Sequence, residues 1–306
     1  MRALFVIPVV ASWLCLSSCY IDGVGWGEHF NKDFHSSYPL KAGGRLTVET
    51  FNGSVEISGW DQDTVDISGT KYGPTQSDAD NLRVDIDATA DSVTIRVPRP
   101  SLGRNEGARF VIKIPRNAIM SRITTSNASI RMEDGVGPAR LKSSNGSIRV
   151  ADFHGSIDAE TSNSAIELLN VEGDATAHSS NGHIHADRLA GSFDATTSNG
   201  GIQADLALAN RPVRVETTNS SVELTFPAHF SSDVRVSTKN GGITLRLPES
   251  TNARVVARTS NSSITTDFEI TAHGEISKNR LDGVIGAGGP LIDLSTSNGG
   301  IRLLRR

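Results

Sequence analysis

"TTSNGGIQADL", residues 196–206, decides the reading of this chain, because the chain writes it again and again. Variants stand at 124–132 ("TTSNASIRM"), 142–150 ("KSSNGSIRV"), 160–168 ("ETSNSAIEL") and 178–186 ("HSSNGHIHA"). Later come "ETTNSSVEL", "STKNGGITL", "RTSNSSITT" and, at 295–303, "STSNGGIRL". Asn127, Asn145, Asn163, Asn181 and Asn199 are each 18 residues apart, and Asn219, Asn240 and Asn261 follow at 20, 21 and 21. Asn298 comes 37 later, which leaves room for a degenerate copy around Asn279. A fixed period of this length is the mark of a repeat architecture.

Parity around each Asn shows what one repeat is. Ser143, Leu141 and Ala139 lie two, four and six residues before Asn145, with Arg140 and Lys142 between them; Thr161, Ala159 and Ile157 alternate likewise with Asp158 and Glu160. Period-2 alternation is a strand with one buried and one wet face. After the Asn, Ile148, Ile166, Ile184 and Ile202 open a second strand, with Arg149, Glu167, His185 and Gln203 on its outer face. A second corner follows at Gly155, Gly173 or Gly191. An antiparallel meander of Asn-Gly hairpins would also alternate in this way. It gives no reason for the spacing to hold at 18, whereas stacked coils, about 4.8 Å apart, must place like over like. Parallel crossovers are overwhelmingly right-handed. The expectation is therefore an all-β, right-handed parallel β-helix or β-solenoid of about 18–21 residues per coil.

Each Asn has the parity of the buried residues before it, so its amide is expected to point inward and stack on its neighbours as an Asn ladder. The ladder would run through Asn127, Asn145, Asn163, Asn181, Asn199, Asn219, Asn240, Asn261 and Asn298. The competing account is that Asn is a good turn residue. The Gly that often follows is read as leaving φ > 0 available.

The ends differ from the repeats. "MRALFVIPVVASWLCLSSC" has Arg2, an apolar run from Ala3 to Leu16 and then small residues, the layout of a secretory signal. "LSSC" resembles the bacterial lipobox, making Cys19 the expected lipid anchor and first mature residue, and the membrane the expected partner through that anchor. Residues 1–18 are thus read as a lipoprotein signal peptide, 19–43 as a tether, 44–120 as a less regular N-terminal β region closing one end, and 121–306 as the solenoid. Arg302, Arg305 and Arg306 are expected to put charge on the last exposed edge.

"GSVEISGW", "VIKIP", the run of T-S-N-G-x-I units and the closing "GAGGPLIDLSTSNGGIRL" together resemble the bacterial DUF4097 β-strand-repeat family, adhesin-like by label, over roughly residues 44–306. The resemblance implies an exported envelope protein and carries over no catalytic residues.

Little in the sequence speaks for chemistry. Net charge is −4 with no basic stripe, which argues against nucleic acid. Asp158, Glu160 and Asp194 share one strand face in different coils, with Thr176 and His178 between and Arg140 and Lys142 before, a mixed-charge face rather than a catalytic pair. His183 and His185 in "NGHIHAD", with Glu167 in the preceding coil, form a weak metal candidate that lacks a fourth ligand. "GVIGAGG" at 283–289 precedes Pro290 and a strand, not a helix, so no phosphate loop is expected. No cofactor is expected. The leading expectation is a non-enzymatic, exported, membrane-anchored lipoprotein whose solenoid surface serves adhesion, binding or scaffolding toward a glycan or an envelope protein. An envelope-stress or signalling accessory contacting a membrane partner stands second, and a carbohydrate-active β-helix enzyme third.

Overall fold

The computed structural model describes residues 30–99, 105–274 and 276–306. The segment read as a signal peptide and the expected anchor Cys19 lie outside the described residues.

Among the described residues the chain forms two long sheets, of thirteen and fourteen strands, with the core between them. The strands that lead into each Asn build the larger sheet. Ala139–Ser143, Ile157–Thr161, Ala175–Ser179 and Phe193–Thr196 pair in parallel, with Ile157 on Ala175 and Ala175 on Phe193. The strands that leave each Asn build the other sheet, where Ile148, Ile166, Ile184 and Ile202 lie in one parallel row. Like therefore sits over like, which is why the Asn spacing is constant. The fold is a parallel β-solenoid.

Side-chain size varies within the rows so that the interior fills without voids. The small Ala175 and Ala177 lie next to a coil with fully buried Phe193, and Phe153 occupies the space that a side chain at Gly135 would need.

One column has no counterpart in the alternation. Asp134, Asp152, Asn170 and Arg188 take left-handed backbone angles, with φ of 58°, 50°, 52° and 53°. Each shifts the parity of its strand, so Phe153, Val171 and Leu189 turn inward one residue later than simple alternation requires. Asp and Asn tolerate this region through their short polar side chains, and Asn170 Nδ2 donates to Asp152 Oδ1 at 2.6 Å. Nothing in the structure explains the choice of arginine at position 188.

The ends are interlocked. At the N-terminal end, β1 (Phe30–Pro39), β2 (Arg45–Glu49), β3 (Val55–Trp60) and β4 (Thr64–Gly73) are followed by a short helix, α1 (Gln76–Asn81). Then come β5 (Asp85–Ala88), β6 (Ser92–Arg96), β7 (Gly107–Pro115), β8 (Ile119–Thr125) and β9 (Ile130–Glu133). The coil made by β2 and β3 is first in sequence but second in space. β2 lies between β6 and β8, and β3 between β7 and β9, all in parallel. Antiparallel β1, β4 and β5 finish this end. Within the expected tether at 19–43, residues 30–39 are part of the fold, because they pair along their whole length with β4.

The C-terminal end does the same. Leu291–Thr296 pairs with both Val234–Ser237 and Ala253–Thr259, and Ile301–Arg305 with both Ile243–Leu247 and Ile264–Thr266. The coil of Asn298 therefore lies between those of Asn240 and Asn261, and the expected place of Asn279 in the stack is corrected. The 37-residue gap holds an antiparallel hairpin, Ile270–Ala272 with Arg280–Ile285, instead of a coil. The expected edge role of Arg302, Arg305 and Arg306 is corrected too. Ile301–Arg305 has neighbours on both sides, and the edge is the three-residue Ile264–Thr266, so shortness rather than charge protects it.

Candidate binding face

Each repeat contributes a corner and an outer strand face. The corner Asn side chains form a continuous hydrogen-bonded row. Each Nδ2 donates to Oδ1 of the neighbouring Asn at 2.7–2.8 Å, from Asn127 on Asn52 through Asn145, Asn163, Asn181, Asn199, Asn219, Asn240 and Asn298 to Asn261. Asn52, from the inserted first coil, ends the row by donating to the carbonyl of Glu106 at 2.9 Å.

The inward orientation expected for these amides is corrected. The nine from Asn127 to Asn261 are exposed on the outside of the corner. The buried place belongs to the Ser or Thr two residues earlier. Ser143, Thr161, Thr197 and Thr217 are all at most 2% exposed. Thr197 Oγ1 donates to the carbonyl of Gly182 at 3.1 Å and accepts from the N–H of Gly200 at 3.2 Å, and Ser143 and Thr238 bridge coils in the same way. A hydroxyl both donates and accepts on a short stem, so it can close the turn from inside, where an amide would need more room. The signal was the S/T-x-N spacing itself, at the same parity as the core.

The glycine after the Asn also serves another purpose than expected. Gly146, Gly182, Gly200, Gly241 and Gly299 are not among the residues with positive φ. A side chain at Gly182 would bring its Cβ to 1.6 Å of the carbonyl oxygen of Ser164, and one at Gly200 to 1.9 Å of that of Gly182. These glycines permit close stacking of coils.

The outer face of the larger sheet carries a grid of paired charges. Arg140 Nε meets Asp158 at 3.0 Å, and Lys142 Nζ meets Glu160 at 2.7 Å. In the next coil stand Thr176 and His178, then Asp194 and Thr196, with Asp194 opposite Arg214 in the coil after. The carboxylates Asp158, Glu160 and Asp194 are thus not gathered into an acid–base pair. Two of them are neutralised by cations, and a full coil separates the third. Such exposed pairs contribute little stability; they fix the pattern of the face.

Two shallow depressions of about 680 and 540 Å³ lie on this face and share Arg140 and Asp158. The larger is bordered by Arg45, Asp174, Thr176 and His178, the smaller by Arg122, Lys142 and Glu160. The Asp174 carboxyl is held below its ordinary range, chiefly by hydrogen bonds from the Ser192 side chain and backbone, with Arg211 adding its charge at 2.8 Å.

The metal candidate is taken up by other contacts. His183 Nδ1 accepts the N–H of Gly201 at 3.0 Å, and Glu167 is engaged by Arg149, while His185 is the in-register neighbour of Glu167. Among the described residues no group of three His, Cys, Asp or Glu side chains is arranged to hold a metal.

No family model matches this chain, and no curated protein matches it. Two solved structures are similar. One is a candidate cell adhesion protein from Clostridium sporogenes, 11% identical, with 90% of this chain and 100% of that one covered and a TM-score of 0.23. The other is a candidate adhesin from Bacteroides fragilis, 11% identical, with 89% and 97% covered and a TM-score of 0.36. At these scores neither carries an argument about fold or function.

Proposed function

We propose that this protein is a non-enzymatic, exported lipoprotein of the bacterial envelope, held to the membrane through Cys19, whose solenoid presents a polar face for adhesion, binding or scaffolding. The observation that carries this reading is the charge grid around Arg140, Lys142, Asp158 and Glu160. It repeats donors and acceptors at the inter-coil spacing over shallow depressions, and its carboxylates meet cations rather than one another. A face of this kind suits an extended, hydroxyl-rich ligand such as an envelope glycan, which can lie across several coils and exchange water for side-chain hydrogen bonds. The "LSSC" segment supports the anchor, and the likeness of the repeat units to the DUF4097 family supports the envelope assignment.

The experiment is binding of the full chain to immobilised envelope polysaccharides, with Arg140→Ala/Asp158→Ala as the altered face. Binding that the double variant loses at least several-fold supports the reading. Release of shortened saccharides during the incubation would replace it with an enzymatic one, and equal binding by the variant would move the site elsewhere.

A further inference from the structure

β1 is unlike the other outer strands. Among the described residues the remaining outermost strands are short: Ile264–Thr266 and Ile270–Ala272 have three residues each, and Asp85–Ala88 has four. Short edges are a usual defence against pairing with another chain. β1 has ten residues, and among the described residues it pairs with β4 alone. Its lysine, the residue that most often guards an edge, is drawn aside, because Lys32 Nζ is bonded to Asp80 of α1 at 2.9 Å.

We propose that β1 pairs antiparallel with β1 of a second copy, joining the smaller sheets of two molecules into one. Symmetry and side-chain chemistry select the register. A two-fold axis normal to the sheet keeps each face continuous, so residues opposite one another have the same parity. Centring the axis on Asp33 sets two like charges face to face, and centring it on His35 sets Lys32 against Tyr38 and Phe34 against Ser36. Centring it on Phe34 resolves both conflicts. Asp33 of one copy then faces His35 of the other on the outer face, twice. Phe30 faces Tyr38 and Phe34 faces Phe34 on the inner face, again with two-fold symmetry. Hydrogen-bonding pairs, here carboxylate with imidazole, and aromatic pairs directly across a ladder are contacts that stabilise antiparallel strands.

The side chains are placed to make these contacts. Phe30 is 40% exposed although aromatic, and Phe34 and Tyr38 are only partly buried against the core. The Phe34 ring fills the space that a side chain at Gly69 would need and meets Phe110 edge to face at 6.1 Å between centroids, so its ring is held. Thr70 fixes Asp33 Oδ1 at 2.7 Å and Asp66 fixes His35 Nε2 at 2.8 Å, which leaves Asp33 Oδ2 and His35 Nδ1 for the second copy.

The test is sedimentation velocity of the full chain in density-matched detergent, with circular dichroism confirming that each variant keeps its β-structure. The unaltered chain is expected to sediment as a dimer at tens of micromolar. Asp33→Lys and His35→Asp are each expected to weaken dimerisation about ten-fold, since the first removes both acceptors for His35 and the second sets a carboxylate against Asp33 twice. An equimolar mixture of the two variants is expected to dimerise again, because the introduced lysine then faces the introduced aspartate while His35 faces Asp33. A monomeric unaltered chain overturns the proposal. So does a dimer that neither variant weakens, or one that the mixture does not restore.

Discussion

Asn298 donates its side-chain amide to Oδ1 of Asn240 and accepts from Asn261, both at 2.7 Å, so the last Asn of the sequence series stands between its two predecessors in space. The same order holds for the backbone, where Ile301 lies between Ile243 and Ile264.

Removing residues 290–306 should therefore open a gap rather than shorten a stack. The strands from Val234 to Leu247 and from Ala253 to Thr266 would lose their common partner and expose buried Val236, Leu245 and Val255. Hydrogen exchange should show loss of protection on both sides of the gap, back to about residue 234, while the coils around Asn163 stay protected. Protection that persists at 253–266 would contradict the inserted arrangement.

The exposed position of the Asn row sets the order of two substitutions. Asn181→Ala loses a bond to each neighbour, which water largely replaces, and should cost about 0.5–1.5 kcal/mol. Asn181→Asp keeps the acceptor for Asn199 and gives up the bond to Asn163 alone, with its charge in solvent, so it should cost less than Ala. Denaturant unfolding at neutral pH measures both. The reverse order would indicate an amide shielded from water.

Thr197→Val keeps the shape and removes the hydroxyl that joins Gly182 to Gly200. Both partners would be left buried without a bond, at a cost of about 1–3 kcal/mol. The inner hydroxyl should thus cost more to remove than the outer amide, and the comparison with Asn181→Ala in one unfolding series decides it.

Gly182→Ala and Gly182→Asn should both destabilise by more than about 2 kcal/mol, because any Cβ meets the Ser164 carbonyl. If the position were required for a left-handed turn, Asn would be much the milder of the two. Melting temperatures of the pair separate these causes.

Asp174 gives the face a pH dependence of known sign. Its carboxyl titrates below its ordinary value of 3.8, so the charged form is favoured in the folded chain. The contribution is fully present above that ordinary value and is lost as pH falls through the lowered one. Asp174→Asn should lose that contribution at neutral pH and flatten the slope of stability against pH below about pH 4, so that the two proteins converge in acid. An unchanged slope would mean that Ser192 does not hold the carboxylate in solution.

Acylation at Cys19 is expected from "LSSC" and is read by mass spectrometry of the mature N-terminus. An unmodified terminus at another residue would remove the anchor from the proposed function.

The solenoid was legible because parallel stacking makes residues of equal role recur at equal spacing, as Ile148, Ile166, Ile184 and Ile202 do. Parity placed Ser143 and Thr161 inward and misled one step later at the corner, since a chain turning there no longer alternates and Asn145 and Asn163 face outward. The left-handed column at Asp152 and Asn170 was hidden because its residue type changes from coil to coil, from Asp134 to Arg188, inside runs that otherwise alternate as strands. Which coil lies beside which is a long-range property. Asn52 and Asn298 carry the repeat signature, but nothing local to them says that each slots in one place from the end. On the charged face the residue types were readable, whereas the pairing of Arg140 with Asp158 required the in-register stack.

The inserted coils also bear on how the molecule answers a pull. In a solenoid wound strictly in order, a terminal strand has one neighbour, and tension at its end undoes the hydrogen bonds one after another, like a zipper. Here tension entering through residue 305 soon reaches Ile301–Leu303, a segment gripped along both edges by Ile243–Leu245 and Ile264–Thr266. At the opposite end, tension that passes β1 reaches β2, which is held between β6 and β8. Two ladders must then slide together before the chain yields at either end. For any load applied at the chain's ends, that converts peeling into shear.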